Sequence, residues 1–364
     1  MTKRPVSIKQ VADAAGVSTA TVSNVFSGKK PVKPELAQHV RDVAANLGYR
    51  INRSASNLRS GESRVIAVLV PDLSDPFFTS LVTELEGRAQ TDGYDLIIAN
   101  AQDDVEIQRR RINALLSWQP AGMVIVPCSD EIPDQIETAR DELPIVVADR
   151  GAEADGFDTV RIDSLDAGHI AGRHLMELGH RDVLIVASDL GLRAIRERSD
   201  GARELLEAAG AHVDVVEVGP APKKATESLI RWLERNPVPT AIFAVTDMTT
   251  LSSLAALADR KLEVGDDVSV LGFDDYPWMT ARRTPITAVH QPIEDIADNI
   301  WATLSKRLNG SSGAPTHIEL QCTLNVRAST RRIARSGSVT REEGEPARGT
   351  GKGEAEATRR KPMH

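Results

Sequence analysis

Side chains able to do acid–base, nucleophilic or metal chemistry are present in this chain but do not converge by spacing. Asp274 and Asp275 form a carboxylate pair just after an apolar run. Such a pair suits either proton transfer or the gripping of several hydroxyls, because ionised carboxylates accept from many donors at once. His169, His174 and His180 stand five and six residues apart. That spacing turns successive imidazoles to different helix faces, whereas zinc-binding helices use i and i+4. Structural roles are expected for all three. Cys128 and Cys322 fit no metal or redox spacing and read as two reduced core thiols. No G-x-G-x-x-G follows the apolar run at Val65, and no Walker loop or G-x-S-x-G occurs. Without a nucleophile motif the carboxylates fit ligand recognition better than catalysis. No enzyme, cofactor or metal is expected.

A different chemistry, hydrogen bonding to nucleic acid, is written near the N-terminus. Thr19, Ala20, Thr21, Ser23 and Asn24 form a run of small and polar residues. Hydroxyls suit phosphates, and an amide suits adenine. The elements that position them are legible. Ile8, Val11, Ala12 and Ala15 fall at helical spacing over residues 8–15, and Gly16 ends that helix at a tight turn. Ser18 is the cap candidate for a second helix over 19–26, with Val22 on its buried side. Two short helices joined through a glycine turn are the helix-turn-helix signature. An ordinary helical hairpin is the alternative. A third helix is expected over 34–47, opened by Pro34, closed by Gly48, poorly capped by Lys33, and apolar along Leu36, Val40, Val43 and Leu47.

Charge supports the nucleic-acid reading. The chain has 364 residues, enough for two or three domains, and a formal net charge of -8. Residues 1–64 nevertheless carry 11 Lys and Arg against 4 Asp and Glu, leaving 33 against 48 in the rest. A basic head on an acidic body is the pattern of a DNA-reading module with a soluble partner domain. No apolar run approaches ~18 residues, and the first ten residues lack an apolar leader, so a cytoplasmic protein without membrane attachment is expected.

Beyond the head, residues 49–61 are polar and free of proline, either a flexible hinge or a helix that orders on DNA with Leu58 as a minor-groove wedge. Short Val- and Ile-rich runs at 65–70, 96–99, 123–126, 145–148, 183–186, 241–245 and 268–272 alternate with helix-length segments such as 166–178 and 196–209. That rhythm indicates buried parallel strands in two doubly wound halves, with ligands at the strand ends. Residues 285–330 add a helix over 293–308 and two strands. Residues 331–364 are too poor in large apolar side chains to bury a core, and they lack leucine heptads.

The strings IKQVADAAGVSTATVSNVFSG and LGYRINRSASNLRSG, followed by PDLSDPFF at 71–78, VSVLGFDD at 268–275 and TAVHQP at 287–292, resemble the lac repressor (LacI/GalR) family of bacterial transcription regulators. The similarity runs over roughly residues 6–330. It implies an α/β protein, with an N-terminal three-helix helix-turn-helix head and a two-lobed periplasmic-binding-protein-like body of doubly wound parallel sheets. It also implies a head at 1–50, a hinge at 51–63 and an effector-binding and dimerisation domain at 64–330, and composition leaves 331–364 as a disordered tail. Within the body, lobe 1 would take about 64–162 plus 292–321 and lobe 2 about 163–291 plus 322–330.

The resemblance implies base contacts from Thr19, Ala20, Asn24 and Leu58, and backbone contacts from Ser7, Ser18, Thr21, Ser23, Tyr49 and Asn52. For the effector cleft it implies Phe77, Phe78, Asp149, Arg198, Thr246 and Asp274. Partners would be a double-stranded DNA operator, a small-molecule effector (a carbohydrate, with a purine or other metabolite as the alternative) and a second copy of the chain in a homodimer. The expected function is repression of transcription under allosteric control. Departures from the family pattern stand out. Asn24 occupies a position often held by Arg, and Thr246 one often held by Asn. The ligand-stacking aromatic usual near Gly219-Pro220-Ala221 is missing, with Trp278 as a possible substitute. The rival reading is a sugar-binding transport protein with the same two lobes, which a basic three-helix head contradicts.

Overall fold

The computed structural model describes residues 6–27, 30–49, 63–151 and 154–333. Its head consists of α1 (Ile8–Ala15), α2 (Thr19–Ser27) and α3 (Pro34–Leu47). Ser7 caps α1 through a reciprocal box, its N–H donating to the Gln10 side chain at 2.8 Å while its hydroxyl accepts from the Gln10 N–H. Gly16 ends α1 at φ 65, a left-handed geometry that glycine adopts without steric cost. Lys33 gives α3 no side-chain cap, and Pro34 opens it instead.

The head core is Val11, Ala12, Ala15, Val22, Val25, Ala37, Val40 and Ala44. The apolar stripe expected on α3 is displaced. Only Val40 of that stripe is fully buried, Leu36 and Val43 are half-buried, and Leu47 is 41 % exposed. Ala37 and Ala44 face inward because short side chains let three short helices approach closely enough to exclude water.

The first part of the body runs β1 (Val65–Val70), α4 (Pro76–Thr91), β2 (Asp95–Asn100), α5 (Val105–Ser117), β3 (Gly122–Ile125), α6 (Asp134–Ala139), β4 (Ile145–Ala148) and β5 (Asp158–Ile162). The second runs α7 (Ser164–Glu177), β6 (Asp182–Ala187), α8 (Arg193–Ala208), β7 (His212–Glu217), α9 (Pro222–Arg235), β8 (Ala241–Ala244), α10 (Asp247–Asp259), β9 (Ser269–Phe273), α11 (Pro277–Thr280) and β10 (Thr287–His290). The chain then adds α12 (Ile293–Leu308), β11 (His317–Leu320) and β12 (Thr323–Asn325).

Two six-stranded sheets result, ordered β11-β5-β4-β3-β1-β2 and β12-β10-β9-β8-β6-β7. All pairs are parallel except β10 with β12. The chain therefore passes between lobes three times, after β5, after β10 and between β11 and β12. The last segment contributes three strands rather than the two expected from sequence. Helix α12 lies against α4 and the first sheet. Arg307 near its end grips Asp158 of β5 with two hydrogen bonds, at 2.7 and 2.9 Å.

Helices α7 and α8 pack with almost no gap. A Cβ on Gly201 would collide with the Leu165 carbonyl, and one on Gly168 with the Arg198 carbonyl. This contact sets the axial position of α8, which carries Arg198. The three histidines do not meet. His180 is fully buried between Thr240 Oγ1 at 3.0 Å and the Arg331 carbonyl at 3.1 Å. His174 bonds Thr330 at 2.9 Å, and His169 lies 3.7 Å from Glu204. Cys128 and Cys322 are free and buried.

Candidate nucleic-acid interface and ligand cleft

Burial of Val22 and Val25 in the head core turns the other side of α2 outward. Thr19, Ala20 and Ser23 are exposed there, while Thr21 and Asn24 are half-buried. None of these side chains is long, so α2 can lie against base edges without a steric barrier. Some expected backbone contacts already have local partners. The Ser18 hydroxyl accepts from the Thr21 N–H at 3.1 Å and sits 2.9 Å from the Thr21 hydroxyl. Ser7 is held in its capping box. The Tyr49 ring packs on Phe26, centroids 5.9 Å apart, so its aromatic part belongs to the head core. Leu58 and Asn52 lie outside the described residues.

The cleft is built by loops after strands of both sheets. Asp149 follows β4 and Asp274 follows β9, with φ of 60 and 62. Aspartate tolerates this left-handed backbone better than most residues, and such conformations gather at binding sites. Asp274 is buried and accepts from Gln291 Nε2 at 2.5 Å. Arg198 reaches in from α8, its guanidinium 3.9 Å from the Phe273 ring centroid and Nη1 donating to the Val245 carbonyl at 3.2 Å. Phe77 and Phe78 are buried edge to face, centroids 5.2 Å apart. Phe78 carries the Arg150 guanidinium at 5.5 Å.

Other expected contributors are placed differently. The Thr246 hydroxyl caps α10, accepting from the Thr249 N–H at 3.2 Å and lying 3.0 Å from the Thr249 hydroxyl, so it is spent on the helix start. The Asp274–Asp275 pair is split. Asp275 turns away to Arg327, at 2.6 Å from both Nη1 and Nη2, and to Asn325 at 2.6 Å. Trp278 packs against the core of the second lobe, where it supports Met279 and its neighbours rather than forming a ligand platform.

Sequence reasoning missed Asp75, Arg150, Asp247, Tyr276 and Gln291. Asp75 caps α4, accepting from the Phe77 N–H at 2.8 Å, and burial together with Asp274 pushes its carboxyl up to about 7. Asp247 begins α10, and burial with the charge of Asp274 pushes it to about 8. Asp247 Oδ2, Gln291 Oε1, the Tyr276 hydroxyl and Arg198 Nε are all buried without a partner among the described residues. All but Arg198, which α8 supplies, follow a strand at its carboxyl end, and that rule was the available signal. One further residue joins the lobes. Asp130, in the loop after β3, accepts from the Arg193 N–H at the start of α8 at 2.7 Å.

Against known proteins, the model of bacterial regulatory proteins of the lacI family matches residues 7–52, and that of a periplasmic binding protein-like domain matches 173–330. The HTH-type transcriptional regulator PtxS of Pseudomonas putida is 31 % identical over 333 residues, 90 % of this chain and 97 % of its own length. The chain belongs to the LacI family of bacterial regulatory proteins. Other LacI-type relatives include the regulator DegA of Bacillus subtilis, 29 % identical over 89 % of this chain and 97 % of its own. The repressor PurR of Pasteurella multocida is 27 % identical, with 89 % and 98 % covered.

Among solved structures, the regulator CelR in complex with cellobiose superposes with a TM-score of 0.67 at 26 % identity, over 90 % of this chain and all of that one. A lac repressor dimer bound to operator and the anti-inducer ONPF superposes at 0.78 over the same shares, and at 24 % identity it attests the LacI fold alone. No described helix is long and apolar enough to cross a membrane.

Proposed function

We propose that this LacI-family regulator is a cytoplasmic repressor that binds a pseudo-palindromic operator as a homodimer and responds to a small molecule between its lobes. The observation that carries the reading is the outward face of α2, small and polar, held outward by the burial of Val22 and Val25 in the head core. Thr19, Ala20 and Asn24 would read base edges. Asn24 suits adenine where an arginine would suit guanine. Ser7, Ser18, Thr21, Ser23, Tyr49 and Asn52 would touch the backbone, and paired Leu58 wedges would open the central step. A carbohydrate is the first expectation for the ligand, consistent with the cellobiose bound by the CelR relative, and a purine the second.

The cleft draws its polar groups from both lobes, so a ligand there has a different affinity for each lobe arrangement. That difference is all an effector needs to bias the separation of two heads, and with it operator affinity. Nothing in this scheme calls for catalysis. The test is selection from a random duplex library with purified full-length protein at moderate salt, with and without a sugar and nucleobase panel. An enriched palindrome centred on a pyrimidine–purine step is the expected result. Absence of enrichment under every condition would overturn the DNA assignment.

A further inference from the structure

The cleft holds more carboxyl groups than its own cations can pair, and more buried polar atoms than its own residues satisfy. Four carboxylates meet there, Asp75 and Asp149 from the first lobe and Asp247 and Asp274 from the second. They are close enough to act on each other: Asp274 raises both Asp75 and Asp247, and Asp149 raises Asp75 and Asp274. Two guanidiniums face them. Arg150 is already engaged by Asp103 at 2.8 Å, with Asp149 at 4.0 Å. Arg198 is 5 % exposed and is the counter-charge left for the others. Tyr276 and Cys322 also face the cluster, and burial keeps both neutral. With Arg150 and Asp149 set aside as a pair, three carboxylates confront one cation.

A second observation points to what is missing. Four buried polar atoms of the cleft have no partner among the described residues: Asp247 Oδ2, Gln291 Oε1, the Tyr276 hydroxyl and Arg198 Nε. Their residues are 1, 2, 9 and 5 % exposed. With Asp247 ionised, three of the four atoms can accept a hydrogen bond and only two, the Tyr276 hydroxyl and Arg198 Nε, can donate. A carboxylate or phosphate on the ligand would add acceptors and a like charge in a site of low dielectric. An uncharged sugar would satisfy the hydrogen bonds and leave Asp75 and Asp247 without a counter-charge, holding their protons. An ammonium supplies three donors, no acceptor and the absent positive charge.

We propose that the cleft takes a hydroxyl-rich ligand carrying an amino group, an amino sugar or amino polyol, and rejects sugar acids and sugar phosphates. The proposal rests on the reading of this cleft as the effector site. It has a protonic signature. Burial holds Asp75 and Asp247 partly protonated near neutral pH, at about 7 and about 8. An ammonium favours their ionised forms, so its binding releases protons and tightens as pH rises, by up to about ten-fold per unit for each proton released.

The experiment uses full-length protein and matched probes: glucamine, sorbitol and gluconate, then glucosamine, galactosamine and mannosamine with their parent hexoses and uronic acids. Thermal shift ranks them, and titration calorimetry from pH 6 to pH 8 in buffers of different ionisation heat counts protons. At least one amine is expected to bind about ten-fold or more tighter than its neutral parent, with proton release and no response to the acid. Asp247→Asn should abolish the amine preference, so that amine and neutral parent bind alike and no proton is released at this group, its unliganded melting showing that it folds. Binding of neutral or acidic members without preference for the amine overturns this proposal and leaves the effector reading standing. A panel that gives no response in any member overturns both.

Discussion

Helix α8 starts without a cap of its own. Leu192 stands at the cap position and offers no side-chain acceptor, so the Arg193 N–H is taken by Asp130 of the other lobe at 2.7 Å. A lost cap costs about 1 kcal/mol, and a carboxylate at a helix N-terminus adds about 0.3–1 kcal/mol through the aligned peptide dipoles. Asp130→Ala should therefore remove about 1–2 kcal/mol from one lobe arrangement only, the one in which loop and helix meet. That lowers its population against any separated arrangement by about 5- to 30-fold. The Arg196 guanidinium, 4.0 Å from the same carboxylate and half exposed, adds little. Small-angle scattering should show an enlarged radius of gyration, and hydrogen exchange a less protected first turn of α8. Asp130→Asn, which caps nearly as well without the charge, should recover most of the effect. If Asp130→Ala lowers the melting temperature but changes neither scattering nor exchange, the contact stabilises a lobe and not the arrangement. If nothing changes, the energetic argument is wrong.

Gly201→Ala should cost about 1–3 kcal/mol by forcing α8 away from the Leu165 carbonyl. The control Gly87→Ala, with open space around its Cβ in α4, should be neutral or stabilising in the same calorimetric scan. Arg307→Met leaves the Asp158 carboxylate buried without its bidentate partner and should lose about 3–5 kcal/mol in a urea titration, with an unchanged midpoint counting against the pair. Stability without ligand should fall as pH rises from about 4 to about 8. Asp75 and Asp247 hold their protons in the folded state up to about 7 and about 8, whereas the unfolded chain releases them near 3.8. Between those limits the folded state binds more protons, so stability drops with pH. Melting curves across that range should flatten in Asp75→Asn and Asp247→Asn, and parallel slopes would refute the assignment. Asp158 and Asp275 act in the opposite sense, their lowered values making acid destabilising.

What sequence conveyed depended on how local its cause was. Helix ends in the head follow from single residues, and those set by Gly16, Pro34 and Gly48 emerged where expected, while the Ser7 cap of α1 was not read from sequence. Buried strands with unbroken apolar runs, such as β1 and β4, were equally visible. Strand β5, DTVRI, was hidden because it carries Asp158 and Arg161 for partners on α12 and β11. Strand β7, HVDVVE, was hidden because an edge position leaves it half wet. In the cleft, strand-end residues Asp149 and Asp274 could be inferred by resemblance. Asp75 looked like a plain helix cap, which it also is. Asp130 had no local signal at all, since the helix it caps lies 63 residues further along.

The order in which the strands occur has a consequence for how the protein is made. Strand β11 completes the first sheet and β12 the second, yet both come after residue 316. During synthesis the first lobe emerges with β5 as an open edge, and neither lobe reaches its full strand complement until the final pairings of the described chain are available. The β5–β11 pairing joins positions some 158 residues apart in sequence, as Thr159 with His317, which makes it slow to find. Until then β5 and β10 stand as the exposed edges in place of the short strands β11 and β12, a state in which a growing protein is more prone to stick to its neighbours and more dependent on chaperones.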